Sequence, residues 1–216
     1  MANDGAASIQ ACALRVARLA ADGTTPAGAS NMYVSDSFIR LLAAPQVEDG
    51  QEINVPNACG KNVVSHKDAD KITRLNLTLE LITPDPELLE LLTNSLLIQD
   101  AGSTVGFAYP KLNEPLAQNG VSMELWSKAV IGGQQAAALP YWRWVLPKTY
   151  NWRFGDREWT NGHMPNVLTG IAVENVNFGN GPTNDWNGPD DRVLAAMRDA
   201  TLPVTQLGYV ATPVQA

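Results

Sequence analysis

The alternation of apolar and polar positions is cleanest between residues 74 and 92, in RLNLTLELITPDPELLELL. Leu75, Leu77, Leu79 and Leu81 alternate with Arg74, Asn76, Thr78 and Glu80, which puts apolar groups on one face and polar groups on the other, as in a strand covered on one side. After TPDPE the period changes, and Leu88, Leu89, Leu91 and Leu92 fall at helical intervals. Asp85 is placed to cap that helix by accepting the N–H of Leu88. Pro86 suits the first helical position, where its missing N–H is not needed. The pattern predicts a strand that runs at once into a short helix, with leucines inward and Glu87 and Glu90 outward near the positive N-terminal end.

Other strands follow from the same alternation. In ACALRVARL (11–19), Cys12, Leu14 and Val16 oppose Ala13, Arg15 and Ala17, as expected of a half-buried strand. NMYVSDSFIRLLAAP (31–45) reads as extended, and VSMELWSKAV, PYWRWVLP and LTGIAVENVNF add further candidates. In QVEDGQEINVP, Asp49-Gly50 lies between Val47 and Ile53, a signal for a tight hairpin turn with positive backbone angles. Pro45 and Pro56 flank it and cannot donate to a ladder, so the segment 43–58 is expected to project from the body. A polar connection follows, with a short strand at Val63 and Val64. RVLAAMRDA (192–200) is expected as a second short helix, residues 1–10 as an N-terminal arm and 201–216 as a C-terminal arm. The fold class predicted is mainly β, one sandwich-like or barrel-like domain over 1–216 with a flanking helix.

Composition changes this picture in one respect. Charged residues make up 17% of the chain, below the roughly 25% usual in soluble domains, and a surface partly covered by other subunits accounts for the deficit. Lys and Arg number 15 against 22 Asp and Glu, a net charge of −7, the wrong sign for gripping nucleic acid. The start lacks a basic segment followed by an apolar run, and no stretch approaches the roughly 20 apolar residues that span a bilayer. The expectation is therefore a protein made and kept in a cytosol, with no membrane partner.

Catalytic and metal chemistry find little to stand on. The chain has no GxSxG, and its two histidines have no plausible serine or cysteine partner close in sequence. GNGPTN (179–184) lacks the third glycine of a dinucleotide fingerprint and reads as a turn. In DWNGPDD (185–191) a calcium loop opening at Asp185 would need its fifth ligand at Pro189, so the stretch reads as a capped turn. Cys12 and Cys59 with His66 and His163 make a zinc set only formally, at spacings of no known site, and the cysteines are expected as buried packing residues. No catalytic residue, metal or cofactor is assigned. The aromatic stretches Trp142-Arg143-Trp144 and Arg157-Glu158-Trp159 interleave indoles with guanidiniums. Trp142, Trp144 and Trp159 are either core or interface anchors, or a stacking platform for sugar, which would make the chain a β-sandwich carbohydrate-binding module.

ACALRVARL, GASNMYVSD, VEDGQEINVPNACG, LNLTLELITPDPELLELL and YWRWVLPKT together resemble the major tail protein, or tail tube protein, of long-tailed bacteriophages of actinobacteria. The resemblance covers about residues 11–150. It implies a β-sandwich-like tail-tube body, six copies in a ring, and rings stacked into the hollow tail of the virion, assembled in the host bacterial cytoplasm. It also implies a tape measure protein and tail-end proteins as partners, and double-stranded DNA that passes through without specific binding. The hairpin residues Val47, Glu48, Asp49, Gly50, Gln51, Glu52 and Ile53 would then make contacts between subunits or rings. Carboxylates among Glu48, Asp49, Glu52, Asp68, Asp70 and Glu80 would line the lumen and repel DNA.

Overall fold

The computed structural model describes residues 5–26, 28–113, 120–159, 161–162, 164–189 and 191–203. In chain order the elements are β1 (Ala7–Arg18), β2 (Met32–Ser35), β3 (Phe38–Glu48), β4 (Glu52–Pro56), β5 (Asn62–Lys67), β6 (Lys71–Leu81), α1 (Pro86–Thr93), β7 (Leu96–Asp100), β8 (Ser103–Ala108), β9 (Val121–Ile131), β10 (Gln134–Gln135), β11 (Tyr141–Phe154), β12 (Asn166–Val173) and β13 (Ala195–Asp199). Nine strands form one antiparallel sheet with the path β2-β1-β9-β11-β12-β6-β3, to which β10 adds on β9 and β13 on β11. β4–β5 and β7–β8 are separate two-stranded ladders.

The sheet curls so that β3, at one end of the path, faces β1 across a shared core. Leu41 and Ala43 of β3 pack on the cluster that contains Leu14, Val16 and Met123. Leu75, Leu77, Leu79 and Leu81 enter this core from β6, and Leu88, Leu89, Leu91 and Leu92 enter it from α1. The helix therefore plugs the inside of the curl. Asp85 accepts the N–H of Leu88 at 3.4 Å and the hydroxyl proton of Tyr33, and Asn94 ends the helix in the left-handed region at φ 57°. Removing each of these leucines from water contributes on the order of 2 kcal/mol, which outweighs the weak intrinsic stability of an eight-residue helix.

Several expectations are corrected. Glu90 does not point outward. It is buried, and both its carboxylate oxygens accept from Arg18 Nη2 at 2.9 Å. Residues 192–200 form no helix; Ala195–Asp199 is a strand. β12 covers only residues 148–154 of β11, so the backbone groups of 141–145 are open, and β13 pairs them. This ladder overrides local helix propensity. Residues 7–10, expected within an N-terminal arm, belong instead to β1, which pairs with β9 from Ala7 onward, while residues 1–4 lie outside the described residues. The β7–β8 hairpin, which turns at Ala101 and Gly102 with positive φ, has no counterpart in the sequence expectations. Cys12 is half-buried and Cys59 exposed, so neither is a buried packing residue. His163 and residues 204–216 of the expected C-terminal arm lie outside the described residues.

Candidate assembly surfaces

A projecting hairpin exists, but its turn is not at Asp49-Gly50. β3 stays in the main sheet to its end, with Val47 opposite Ile72 and Glu48 opposite Lys71, so Val47 and Glu48 form no arm of a separate hairpin. Pro45 is tolerated because β3 is an edge strand, paired only to β6. Gly50 is not in the left-handed region; it is required by crowding, because a Cβ there would lie 2.0 Å from the carbonyl oxygen of Asp68. Asp49, Gly50 and Gln51 form a junction from which β4 leaves the sheet. Across it, Asp68 N donates to Gln51 O at 3.0 Å and Gly50 N to Asp70 Oδ1 at 2.9 Å.

The projection itself is β4 paired with β5, with Glu52 opposite Lys67, Ile53 opposite His66 and Val55 opposite Val64. Its turn lies at 57–61. There the Asn57 side chain accepts from the N–H groups of Cys59 and Lys61, and Gly60 supplies φ 79°. The short strand expected at Val63 and Val64 is this second arm, longer than expected and paired with β4. Every residue of β4 and β5 is exposed, Ile53, Val55, Val63 and Val64 included. Among the described residues the two strands pack mainly on each other.

The junction is acidic: Glu48 stands opposite Lys71 and Glu52 opposite Lys67, Asp49 and Asp70 act on Lys67, and Asp68 follows Lys67 in sequence. The Gly50 N–H, then the Lys67 ammonium at 3.1 Å, hold the Asp70 carboxyl below its ordinary range, and Asp70 in turn raises Lys67. Glu80 lies apart, on the outer face of β6, where Arg40 Nε donates to it at 2.8 Å.

Trp142 and Trp144 are half-buried neighbours on β11, with ring centroids 6.1 Å apart and planes inclined by 36°. Their N–H groups are engaged inside the protein, Trp142 with Ala6 O and Trp144 with Ser127 Oγ, both at 3.1 Å. Trp159 is 77% exposed. The three do not form one flat platform. Below Trp144 opens an apolar groove of about 320 Å³, bordered by Ile9, Leu41, Ala43, Leu125, Trp144 and Leu194.

On the opposite face of β11 sits a polar cluster that sequence reading missed. Glu124 of β9 is 1% exposed and accepts from Arg15 Nε through one carboxylate oxygen and from Arg143 Nε and Nη2 through the other. Arg143 Nη2 also donates to Asp185 Oδ1 at 2.9 Å, and Arg15 Nη2 donates to Thr183 Oγ1 at 3.0 Å. Trp126 and Trp186 lie against the guanidiniums at 5.0 to 5.6 Å, and Trp126 Nε1 donates to Asp199 at 3.1 Å. Burial disfavours the Asp185 carboxylate, but the Thr183 hydroxyl and the Arg143 guanidinium more than offset this and lower its pKa. Burial likewise opposes the Arg143 charge, which Glu124 and Asp185 restore and raise. Both acids of the cluster, Glu124 and Asp185, are engaged by guanidiniums. The cluster ties the segment 174–194 to the sheet over a small second core of Val145, Phe178 and Trp186. The available signal was a charge at mid-strand in both ACALRVARL and VSMELW; Arg15 and Glu124 are direct cross-strand partners.

Among the described residues no three His, Cys, Asp or Glu side chains converge as a metal would need. No protein-family model matches this sequence, and no curated protein matches it.

Proposed function

We propose that this chain is a structural subunit that associates head to tail with copies of itself into stacked rings, forming a hollow tube of the kind built by the major tail proteins of long-tailed phages. The observation that carries this reading is the β4–β5 projection. An isolated two-stranded hairpin is at best marginally stable in water, yet this one leaves four β-branched side chains exposed and, among the described residues, packs substantially only on itself. A partner surface supplies what it lacks. The edges of β3 and of the first half of β1, which no described strand pairs, offer further backbone groups for pairing between subunits. Two different patches meeting give a heterologous contact, which closes into rings or runs on as filaments. Six copies per ring, the tape measure protein and the tail-end proteins follow from the resemblance, as does DNA passing through a lumen whose carboxylates repel it.

Electron microscopy of concentrated, pure protein in negative stain tests the reading. Hollow filaments or rings are expected, and particles that stay single at every concentration refute it. Because Asp68 N already bonds Gln51 O, residues 52–67 can be replaced by a two-glycine turn without breaking the sheet. That variant should keep its circular dichroism in the body of the spectrum and lose ring stacking; unchanged stacking would remove the projection from the account.

A further inference from the structure

The outer face of the main sheet carries a concavity that none of the preceding roles uses. It is a polar trough of about 660 Å³ across β6, β12 and β11, bordered by Arg74, Asn76, Thr78, Asn151, Arg153 and Thr169. Its origin is a slip in register between β11 and β12. At that point Asn151 takes φ 55°, and Trp152 turns into the core while Asn151 and Arg153 stay on the outside.

Among the described residues both arginines are held by one nitrogen only. Arg74 Nε donates to Gln46 Oε1 at 2.6 Å, and Arg153 Nε donates to Thr169 Oγ1 at 3.2 Å. Among the described residues neither guanidinium has a carboxylate within 4.0 Å, and Glu80, the acid on the same face of β6, is engaged by Arg40. Two fixed guanidiniums with free terminal N–H groups, set among amides and hydroxyls in a concave face, form a receptor for carboxylates. In a chain of net charge −7, a pair that has no acid of its own among the described residues is a surface suited to an acidic partner.

The chain carries that partner chemistry. At the base of the projection Glu48 and Asp49 are acids with no cation within 4.0 Å among the described residues, and Glu52 follows them. In one molecule these acids lie beyond the Arg74 end of the β3–β6 ribbon and make no contact with either arginine. We propose that the Arg74–Arg153 trough receives the acidic base of the β4–β5 projection, Glu48, Asp49 and Glu52, from a second copy of this chain. This rests on the self-assembly reading and names the surface that takes the projection. A polynucleotide is the less favoured occupant: two free guanidiniums on an acidic protein would not offset the repulsion of many phosphates.

Charge swapping tests the pairing, read by sedimentation velocity and electron microscopy on full-length chains whose fold is checked by circular dichroism. R74E/R153E and E48K/D49K/E52K are each expected to associate at least about 100-fold more weakly than the parent protein. Mixed one to one they should assemble again, because each trough then meets a projection of opposite sign. Raising salt should weaken the parent contact, since exposed charges are screened beyond about 10 Å at 0.1 M. If the parent protein assembles and R74E/R153E assembles equally well, the trough is not the receptor and this inference falls while self-assembly stands. If both variants fail and the mixture also fails, the trough does not receive the projection, which overturns the pairing. A parent protein that stays single refutes the assembly reading and this inference with it. Duplex DNA retained by the parent and released by R74E/R153E, with assembly unchanged, would assign the trough to phosphates instead.

Discussion

Replacing Glu124 by alanine is the most informative perturbation of the fold. Glu124 is 1% exposed, and its two oxygens hold Arg15 and Arg143, themselves 6% and 1% exposed. The substitution leaves two guanidiniums buried without their shared acid. Asp185 at 2.9 Å and Asp199 at 3.9 Å still reach Arg143, but Arg15 keeps no acid, only the neutral hydroxyl of Thr183 and the Trp126 ring. Breaking a buried ion pair from one side costs about 3 to 5 kcal/mol. With an unfolding entropy near 2.1 cal/mol/K per residue, a chain of this length should lose about 7 to 11 °C in melting temperature. Differential scanning calorimetry reads the shift. The paired variant E124L/R143M should lose clearly less than the sum of E124L and R143M, because removing both partners leaves fewer unmatched charges. A loss below about 1 kcal/mol for E124A, or strict additivity in the double variant, would refute the assignment of Glu124 as the acid that neutralises this face.

Two further outcomes are expected. Gly170→Ala places a Cβ 2.6 to 2.9 Å from three ring atoms of Trp152, which is 1% exposed and tied through Nε1 to Thr149 Oγ1, so stability should fall by about 1 to 3 kcal/mol; an unchanged unfolding curve in urea would show that the indole is not fixed there. Asp185 has a lowered pKa, so its contribution is complete above the unfolded carboxylate value of about 3.9 and is lost as pH falls through the lower folded value. Fluorescence of the buried Trp186 should accordingly hold from pH 7 to 5 and change only below about pH 4. Asp185→Asn should remove that acid transition, and a transition that persists unchanged in this variant would place its origin elsewhere.

The strand-to-helix unit was legible because every link in it is local. Alternating leucines define the β6 face, Asp85 and Pro86 start α1, and the leucine spacing sets the side that α1 buries. Its capping bond needs no knowledge of the rest of the chain. Glu90 was misread for the complementary reason. Its position near a helix start favours an acid in solvent, and only the tertiary approach of Arg18 from β1 turns it inward. Segment 192–200 failed in the same way, since its conformation answers to open hydrogen-bonding groups on a strand some fifty residues earlier. Local pattern cannot carry that information.

The projection shows how far a turn signal can be trusted. Asp-Gly is the strongest short hairpin signal, and the glycine at 50 is indeed required, yet for close approach to the Asp68 backbone and not for a positive φ. The turn that does close the hairpin uses Asn57 as a side-chain acceptor and Gly60 in the left-handed region, seven and ten residues further on. A glycine between two extended arms thus has two physical causes that sequence alone does not separate, and each puts the exposed apolar residues in a different place. With the turn at 57–61, the β-branched side chains gather on a ribbon that leaves the sheet, and the carboxylates collect at its foot. Under the proposed self-assembly, adhesion by the ribbon and charge at its foot are separable, so neutralising Glu48, Asp49 and Glu52 should alter the register and salt dependence of association, whereas polar substitution of Ile53, Val55, Val63 and Val64 should weaken it at every ionic strength.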